Sequence, residues 1–203
     1  MKMYFSPSSP YVRKCLIVAH ELGLQDRIEK LPASAHPVHR DRAILADNPL
    51  GQVPTLVTDD GQVLYDSRVI CEYLDALAQG GLFPQEAPLR FAALTQQALA
   101  DGMLAGSLLA RYEDTARPEP LRWADWRAGQ LDKAATGLRW MEQHAGQLEA
   151  HWHIGTIALA CALGYLDFRF ADWAWRAQAP RVADWFAGVS ERPSLAATLP
   201  PRA

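Results

Sequence analysis

Residues 2–24 read KMYFSPSSPYVRKCLIVAHELGL, and this stretch decides the fold. Its opening apolar run, Met3-Tyr4-Phe5, has the composition of a short strand. The chain breaks at Ser6-Pro7-Ser8-Ser9-Pro10 and resumes with helical periodicity. Val12, Cys15, Leu16, Ala19 and Leu22 recur at three- and four-residue spacing, with Arg13, Lys14 and Glu21 off that face. Ser9 before Pro10 is a helix-start pair, a serine N-cap followed by a proline at the first helical position. Gly23 is placed to end the helix in a left-handed cap. The hydroxyls of Ser8 and Ser9 are therefore expected beside the free N–H groups and positive pole of a buried helix, a place to hold an anion. Taken alone, the pair is an ordinary cap.

Outward from this stretch, Arg27 to Leu31 alternates weakly, as a strand that would complete a β-α-β order beside the first. Residues 32–51 are irregular, with a helical turn expected near Arg42 to Ala46. Val53-Pro54-Thr55-Leu56-Val57 and Val63-Leu64-Tyr65 flank Asp59-Asp60-Gly61-Gln62, a hairpin signal. Asp66-Ser67 then caps a helix over 68–77, with Val69, Ile70, Tyr73, Leu74 and Leu77 expected on its buried face. Gln79-Gly80-Gly81 and Phe83-Pro84 break the pattern and mark a domain boundary. From Pro88 only helical periodicity remains, at about 88–112, 124–145, 155–167 and 172–190. All seven Trp lie in this half and are read mainly as packing residues. The tail from Pro193 is expected to lie extended on the surface.

The whole chain has 203 residues, 49% apolar and 21% charged, ordinary for a soluble globular protein. A net charge of −3 gives no reason to expect nucleic acid or an anionic membrane as partner. Prolines at 7 and 10 interrupt any signal-peptide run, and no apolar stretch is long enough to span a bilayer. Cys15, Cys71 and Cys161 are far apart with no C-x-x-C pair, so they read as reduced core residues of a cytoplasmic protein. His151 and His153 offer only two ligands, too few to argue for a metal.

Three features carry chemistry. Val53-Pro54 precedes a strand, where a cis bond would turn the Val53 backbone N–H and C=O outward to pair with a peptide-like ligand; an ordinary edge proline is the alternative. Asp66-Ser67 opens a helix and so offers a carboxylate site, or a plain cap. A strand edge thus falls between two helix starts, one suited to a thiolate and the other to a carboxylate.

In SSPYVRK, NPLGQVPTLV, DSRVICEYL, LFP and GYLDFR, in that order and at that spacing, the chain resembles the cytosolic glutathione transferases, and within them the bacterial group with Ser at the first helix. The resemblance implies a thioredoxin-like glutathione-binding domain at 1–78 and an all-α domain at 88–203 that forms the site for a hydrophobic electrophile. It implies a homodimer and no metal. By analogy Val53 pairs with the cysteinyl backbone of glutathione, Pro54 is cis, and Ser67 with Asp66 holds the γ-glutamyl end. Ser9, with Ser8 in reserve, hydrogen-bonds the sulfur. His36, His39, Arg40 and Gln52 are candidates for the glycyl end, and the sequence does not choose among them. Asp101 stands either as a contact for the glutathione amino group, across a dimer interface, or as a solvated carboxylate. Tyr11, Met103, Ser107 and Tyr112 are candidate walls of the second-substrate pocket.

The energetics are adequate. Making a thiol of pKa about 8.5 mostly thiolate at neutral pH needs a drop of about two units, roughly 2.7 kcal/mol. One hydrogen bond to a charge gives about 1.5–3 kcal/mol and a partly buried helix terminus up to about 2. Two rival functions differ in chemistry. A thiol-disulfide oxidoreductase needs a cysteine where Ser9 stands. A non-catalytic binding or regulatory relative tends to lose the thiolate- or carboxylate-binding residues, which this chain keeps. One departure from the family pattern concerns the helix near 155, which lacks the usual Ser/Thr-x-x-Asp capping box. Its absence is expected to cost about 0.5–2 kcal/mol unless His153 or Thr156 substitutes.

Overall fold

The computed structural model describes residues 1–148 and 151–201. It divides into two compact units, Met1–Gln85 with the segment that starts at Pro193, and Glu86–Arg192.

In the first unit, β1 (Lys2–Phe5) leads through Ser9-Pro10 into α1 (Pro10–Glu21), and the chain returns as β2 (Glu29–Pro32). A short α2 (Arg42–Asp47), β3 (Thr55–Val57), β4 (Val63–Leu64) and α3 (Ser67–Ala78) follow. The sheet order is β2-β1-β3-β4, with β1 parallel to β2 and antiparallel to β3, and β3 antiparallel to β4. The β3–β4 hairpin turns over Thr58–Gln62, where the Thr58 N–H donates to Gln62 O at 2.9 Å and its Oγ1 accepts from Gln62 N–H at 2.8 Å. Gly23 ends α1 at φ +67°. The Leu24 N–H reaches back to Ala19 O at 2.8 Å and the Gly23 N–H to His20 O at 3.2 Å, a Schellman closure.

Two expectations about buried faces are corrected here. Arg13 and Lys14 are buried, not off the covered face. The cover includes the tail, which is not wholly extended: Pro193–Ala196 is helical and packs on α1, with Leu195 O accepting from Arg13 Nη2 at 3.3 Å and Ser194 Oγ donating to Glu21. Residues 202 and 203 of that tail lie outside the described ones. On α3 the buried set is Ser67, Ile70, Cys71, Leu74 and Asp75, while Val69 is 47% and Leu77 41% exposed. The helix is apolar on two sides, and the side facing α1 is fixed by Cys71, whose Sγ lies 3.8 Å from that of Cys15. Asp75 turns inward because its carboxylate accepts the N–H groups of Gly81, Leu82 and Phe83 at 2.8–3.1 Å, tying down the segment after the helix.

The second unit holds α4 (Ala87–Thr115), α5 (Ala124–Gln143), α6 (Ile154–Arg169), α7 (Trp175–Gln178) and α8 (Pro180–Ser190); the helix from Pro193 is α9. Both α5 and α6 pack on α4, and α6 is buried over most of its length. At Gly155 a Cβ would stand 2.6 Å from Ala93 O, so the first turn of α6 approaches the α4 backbone as only glycine permits. The single helix expected over 172–190 is two. Pro180 cannot donate into a preceding turn, and the Glu142 carboxylate on α5 caps α8 by accepting from Arg181 N–H at 3.2 Å and Val182 N–H at 3.0 Å.

The capping box of α6 is present after all, in unusual residues. His153 Nδ1 accepts from Gly155 N–H at 3.1 Å and Thr156 N–H at 3.4 Å, and Thr156 Oγ1 accepts from His153 N–H at 2.9 Å. Of the seven tryptophans, expected mainly to pack, only Trp175 is fully buried, while Trp123 and Trp140 are exposed. Trp175 is buried with its Nε1–H on Asp167 at 2.7 Å, and Trp185 donates to Leu148 O at 3.1 Å.

Candidate functional site

Ser9 is the N-cap of α1. Its Oγ accepts from Val12 N–H at 3.3 Å, which leaves the hydroxyl proton free to be donated outward. Ser8 stands in the preceding turn with its Oγ 3.4 Å from that of Ser6. Tyr11 follows on α1, with Lys14 Nζ 5.8 Å from its ring centroid.

The approach to β3 is organised by Asn48, which is buried. Its Nδ2 donates to Thr55 Oγ1 at 2.9 Å and Gln52 O at 3.3 Å, and its Oδ1 accepts from Leu50 N–H at 2.9 Å. Thr55 Oγ1 in turn donates to Gln52 O at 2.8 Å. The reading from sequence passed over Asn48 and Thr55 as structural residues, although Asn-Pro two residues before a glycine is a turn signature. Gly51 turns at φ +61° with the Arg40 guanidinium over it, and Arg40 Nη2 donates to Pro49 O at 2.5 Å. This loop delivers Val53, whose peptide bond to Pro54 is cis, as the resemblance implies. Val53 lies before the start of β3, outside its pairing register. Neither its N–H nor its C=O is hydrogen-bonded within the described residues.

At the start of α3 the cap is Asp66, whose Oδ1 accepts from Arg68 N–H at 2.9 Å while Oδ2 pairs with Arg68 Nη2 at 3.0 Å. Burial pushes the Asp66 carboxyl up, but the Arg68 bonds and the Lys14 charge outweigh it and hold it below the usual carboxylate range. Ser67 is 2% exposed, and its hydroxyl has no partner within the described residues. His36, His39, Arg40 and Gln52 are all exposed in the segment before β3. The His36 and His39 rings stack at 5.1 Å, and His36 Nδ1 accepts from Val38 and His39 N–H at 3.1 and 3.0 Å. The first unit thus carries Ser9 and Asp66-Ser67 at two helix starts and Val53 at an unpaired backbone edge.

The residues named on the second unit fall on α4. Asp101 is half-buried. Met103 is 2% exposed and packs over Gly137 of α5, so it belongs to the bundle core. Ser107 is buried, its Oγ without a partner among the described residues, and Tyr112 is half-buried, its phenol pushed up by burial. Among the described residues, no group of three or more His, Cys, Asp or Glu is arranged to hold a metal ion, and no helix is long and apolar enough to cross a membrane.

A β-α-β unit followed by β-β-α, with a cis-proline before the third strand and an unpaired backbone at that point, defines the thioredoxin-like class of domain; here it is joined in one chain to a helical unit. Residues 8–77 match the glutathione S-transferase N-terminal domain and residues 124–188 the C-terminal domain. The chain is 34% identical over all of its length to the whole of an uncharacterized GST-like protein, YibF, of Escherichia coli K12. A glutathione transferase family member from Pseudomonas fluorescens Pf-5, crystallised with bound glutathione, superposes at a TM-score of 0.96 with 44% identity over 98% of both chains. A second crystal structure described in the same way, with bound S-(propanoic acid)-glutathione, gives 0.91 and 42% over 99% of this chain and 100% of that one. The chain belongs to the glutathione S-transferase family.

Proposed function

We propose that this chain is a glutathione transferase that binds glutathione on its first unit, ionises the thiol and delivers the thiolate to a hydrophobic electrophile. The observation that carries the reading is the unpaired N–H and C=O of Val53, a backbone edge of the kind that takes up a peptide as an added strand. Val53 pairs there with the cysteinyl backbone of glutathione. The Ser67 hydroxyl and the first N–H groups of α3 bind the γ-glutamyl carboxylate, with Asp66 holding that turn and facing the ammonium.

Ser9 Oγ, already anchored as an acceptor from Val12 N–H, donates its proton to the sulfur at the positive pole of α1. Ser8 is its alternative. The serine acts as a donor that stabilises the thiolate and forms no bond to the substrate. One of His36, His39, Arg40 and Gln52 meets the glycyl carboxylate, and Asp101 the amino group. Tyr11, Ser107 and Tyr112 stay assigned to the second substrate, whereas Met103 packs in the bundle core behind them. The S-substituted glutathione in a Pseudomonas fluorescens relative supports thioether formation as the reaction, because a thioether is what thiolate attack on carbon leaves.

We further assign a homodimer. Val69 and Leu77, exposed, and the half-buried Tyr73 between them form an apolar stripe at i, i+4 and i+8 along α3, and a second copy covers it. The function is tested by following loss of thiol when the protein is mixed with glutathione and either an activated aryl halide or an α,β-unsaturated carbonyl compound. Turnover that saturates with glutathione is expected. A protein that binds no glutathione and accelerates neither reaction would overturn the assignment.

A further inference from the structure

The helical unit holds a cluster of two cations and three hydroxyls, in which the Arg169 guanidinium donates to the Tyr165 phenol oxygen and leaves its O–H free to donate. Arg111 lies in the last turns of α4 and Arg169 is the last residue of α6, helices that pack together. A cation at a helix C-terminus is unremarkable by itself. Two of them brought together without an anion are not, since like charges repel. The Arg169 guanidinium, lowered first by burial and then by the Arg111 charge, feels that repulsion. Neither side chain forms an ion pair among the described residues, and Arg169 Nε is buried with no acceptor.

Around them stand hydroxyls. Burial pushes the Tyr165 phenol up to about 12, and Arg111 and Arg169 lie close enough to pull against that shift. The phenol is therefore a neutral O–H donor at physiological pH. Tyr112, on α4 beside Arg111, is raised as well. One turn earlier, Ser107 is 1% exposed and its Oγ has no partner among the described residues. Arg169 Cζ also lies over the Phe168 ring, 3.6 Å from its centroid. What the cluster lacks is a planar, acceptor-rich anion, which a guanidinium fork meets with two hydrogen bonds.

We propose that Arg111 and Arg169, with Tyr112, Tyr165 and Ser107, bind the carboxylate of an aryl or alkenyl acid, so that the electrophilic substrate of this enzyme carries an acid group. The carboxylate takes the two guanidiniums and the Tyr165 O–H, and the rings of Tyr112 and Tyr165 face its unsaturated body. This substrate class rests on the transferase reading, whereas the carboxylate site itself does not.

The test is calorimetric titration of the full chain with cinnamate and, separately, with its neutral isostere cinnamamide. Cinnamate is expected to bind at least about tenfold more tightly, because charge-assisted bonds are about twice as strong as neutral ones. That preference should fall to within about twofold in Arg111→Met and Arg169→Met. If either variant fails to fold, Arg111→Lys and Arg169→Lys keep the charge but not the planar fork and should lower the preference severalfold. Equal affinity of the wild type for acid and amide, or a preference that survives every substitution, overturns the proposal. Glutathione is titrated alongside. Selective cinnamate binding without glutathione binding would sink the transferase reading and leave the carboxylate site standing, while glutathione binding without discrimination would do the reverse.

Discussion

Ser67 and Ser9 divide two jobs that a sequence shows as the same motif. At α3 the helix is capped by Asp66, so the Ser67 hydroxyl is free for a ligand. Ser67→Ala should therefore hardly change the melting temperature. It should weaken glutathione by the value of a hydrogen bond to a charged group, about 1.5–3 kcal/mol, or roughly 10- to 150-fold in Kd. Calorimetry checks this, and unchanged affinity would remove Ser67 from the site. At α1 one hydroxyl has both jobs, because Ser9 is itself the cap. Replacement by Ala there loses about 0.5–2 kcal/mol of stability as well as the sulfur contact. The cap position was legible because Ser-Pro has a local geometric meaning. The burial of Arg13 and Lys14 was not, since part of the cover on α1 comes from Ser194 and Leu195, some 180 residues away in the chain.

At the scale of elements, periodicity located the helices and the hairpin well, and failed where a helix is apolar on more than one side. In α3 the pattern Val69-Tyr73-Leu77 is as regular as Ile70-Cys71-Leu74, and only the packing of Cys71 on Cys15 selects the second. The cap of α6 was left open between loss and substitution by His153 or Thr156, because histidine is not among the usual capping residues. It has a pH signature those residues lack. Burial lowers the His153 imidazole below its usual range, and Nδ1 must be unprotonated to accept from Gly155 and Thr156. Its contribution is thus fully present above the unfolded-state value, about pH 6.5, and is lost as the pH falls through the lower folded-state value. His153→Ala should cost about 0.5–2 kcal/mol at pH ~8. His153→Ser should match the wild type there and exceed it at pH ~5, because a hydroxyl cap does not titrate. Parallel stability curves for wild type and His153→Ser would rule out the imidazole cap.

For the molecule as a whole, a stripe misread as core becomes the surface on which a second copy is proposed to sit. Val69→Lys and Leu77→Glu each put a charge on an apolar face, which an interface core disfavours. Sedimentation should find a dimer for the wild type and monomer for the variants, each still folded; a monomeric wild type would contradict the assembly. The central claim is chemical, that the start of α1 converts a bound thiol to thiolate. It is tested most directly by titrating the thiolate absorbance of glutathione bound to the protein, with Ser9→Asp, a cap of equal strength with the wrong charge, as the control. The account predicts a bound thiol about two units below the free value of about 8.5, restored to that value or above in Ser9→Asp. A bound thiol that titrates like the free one, or a depressed value unmoved by Ser9→Asp, would contradict it.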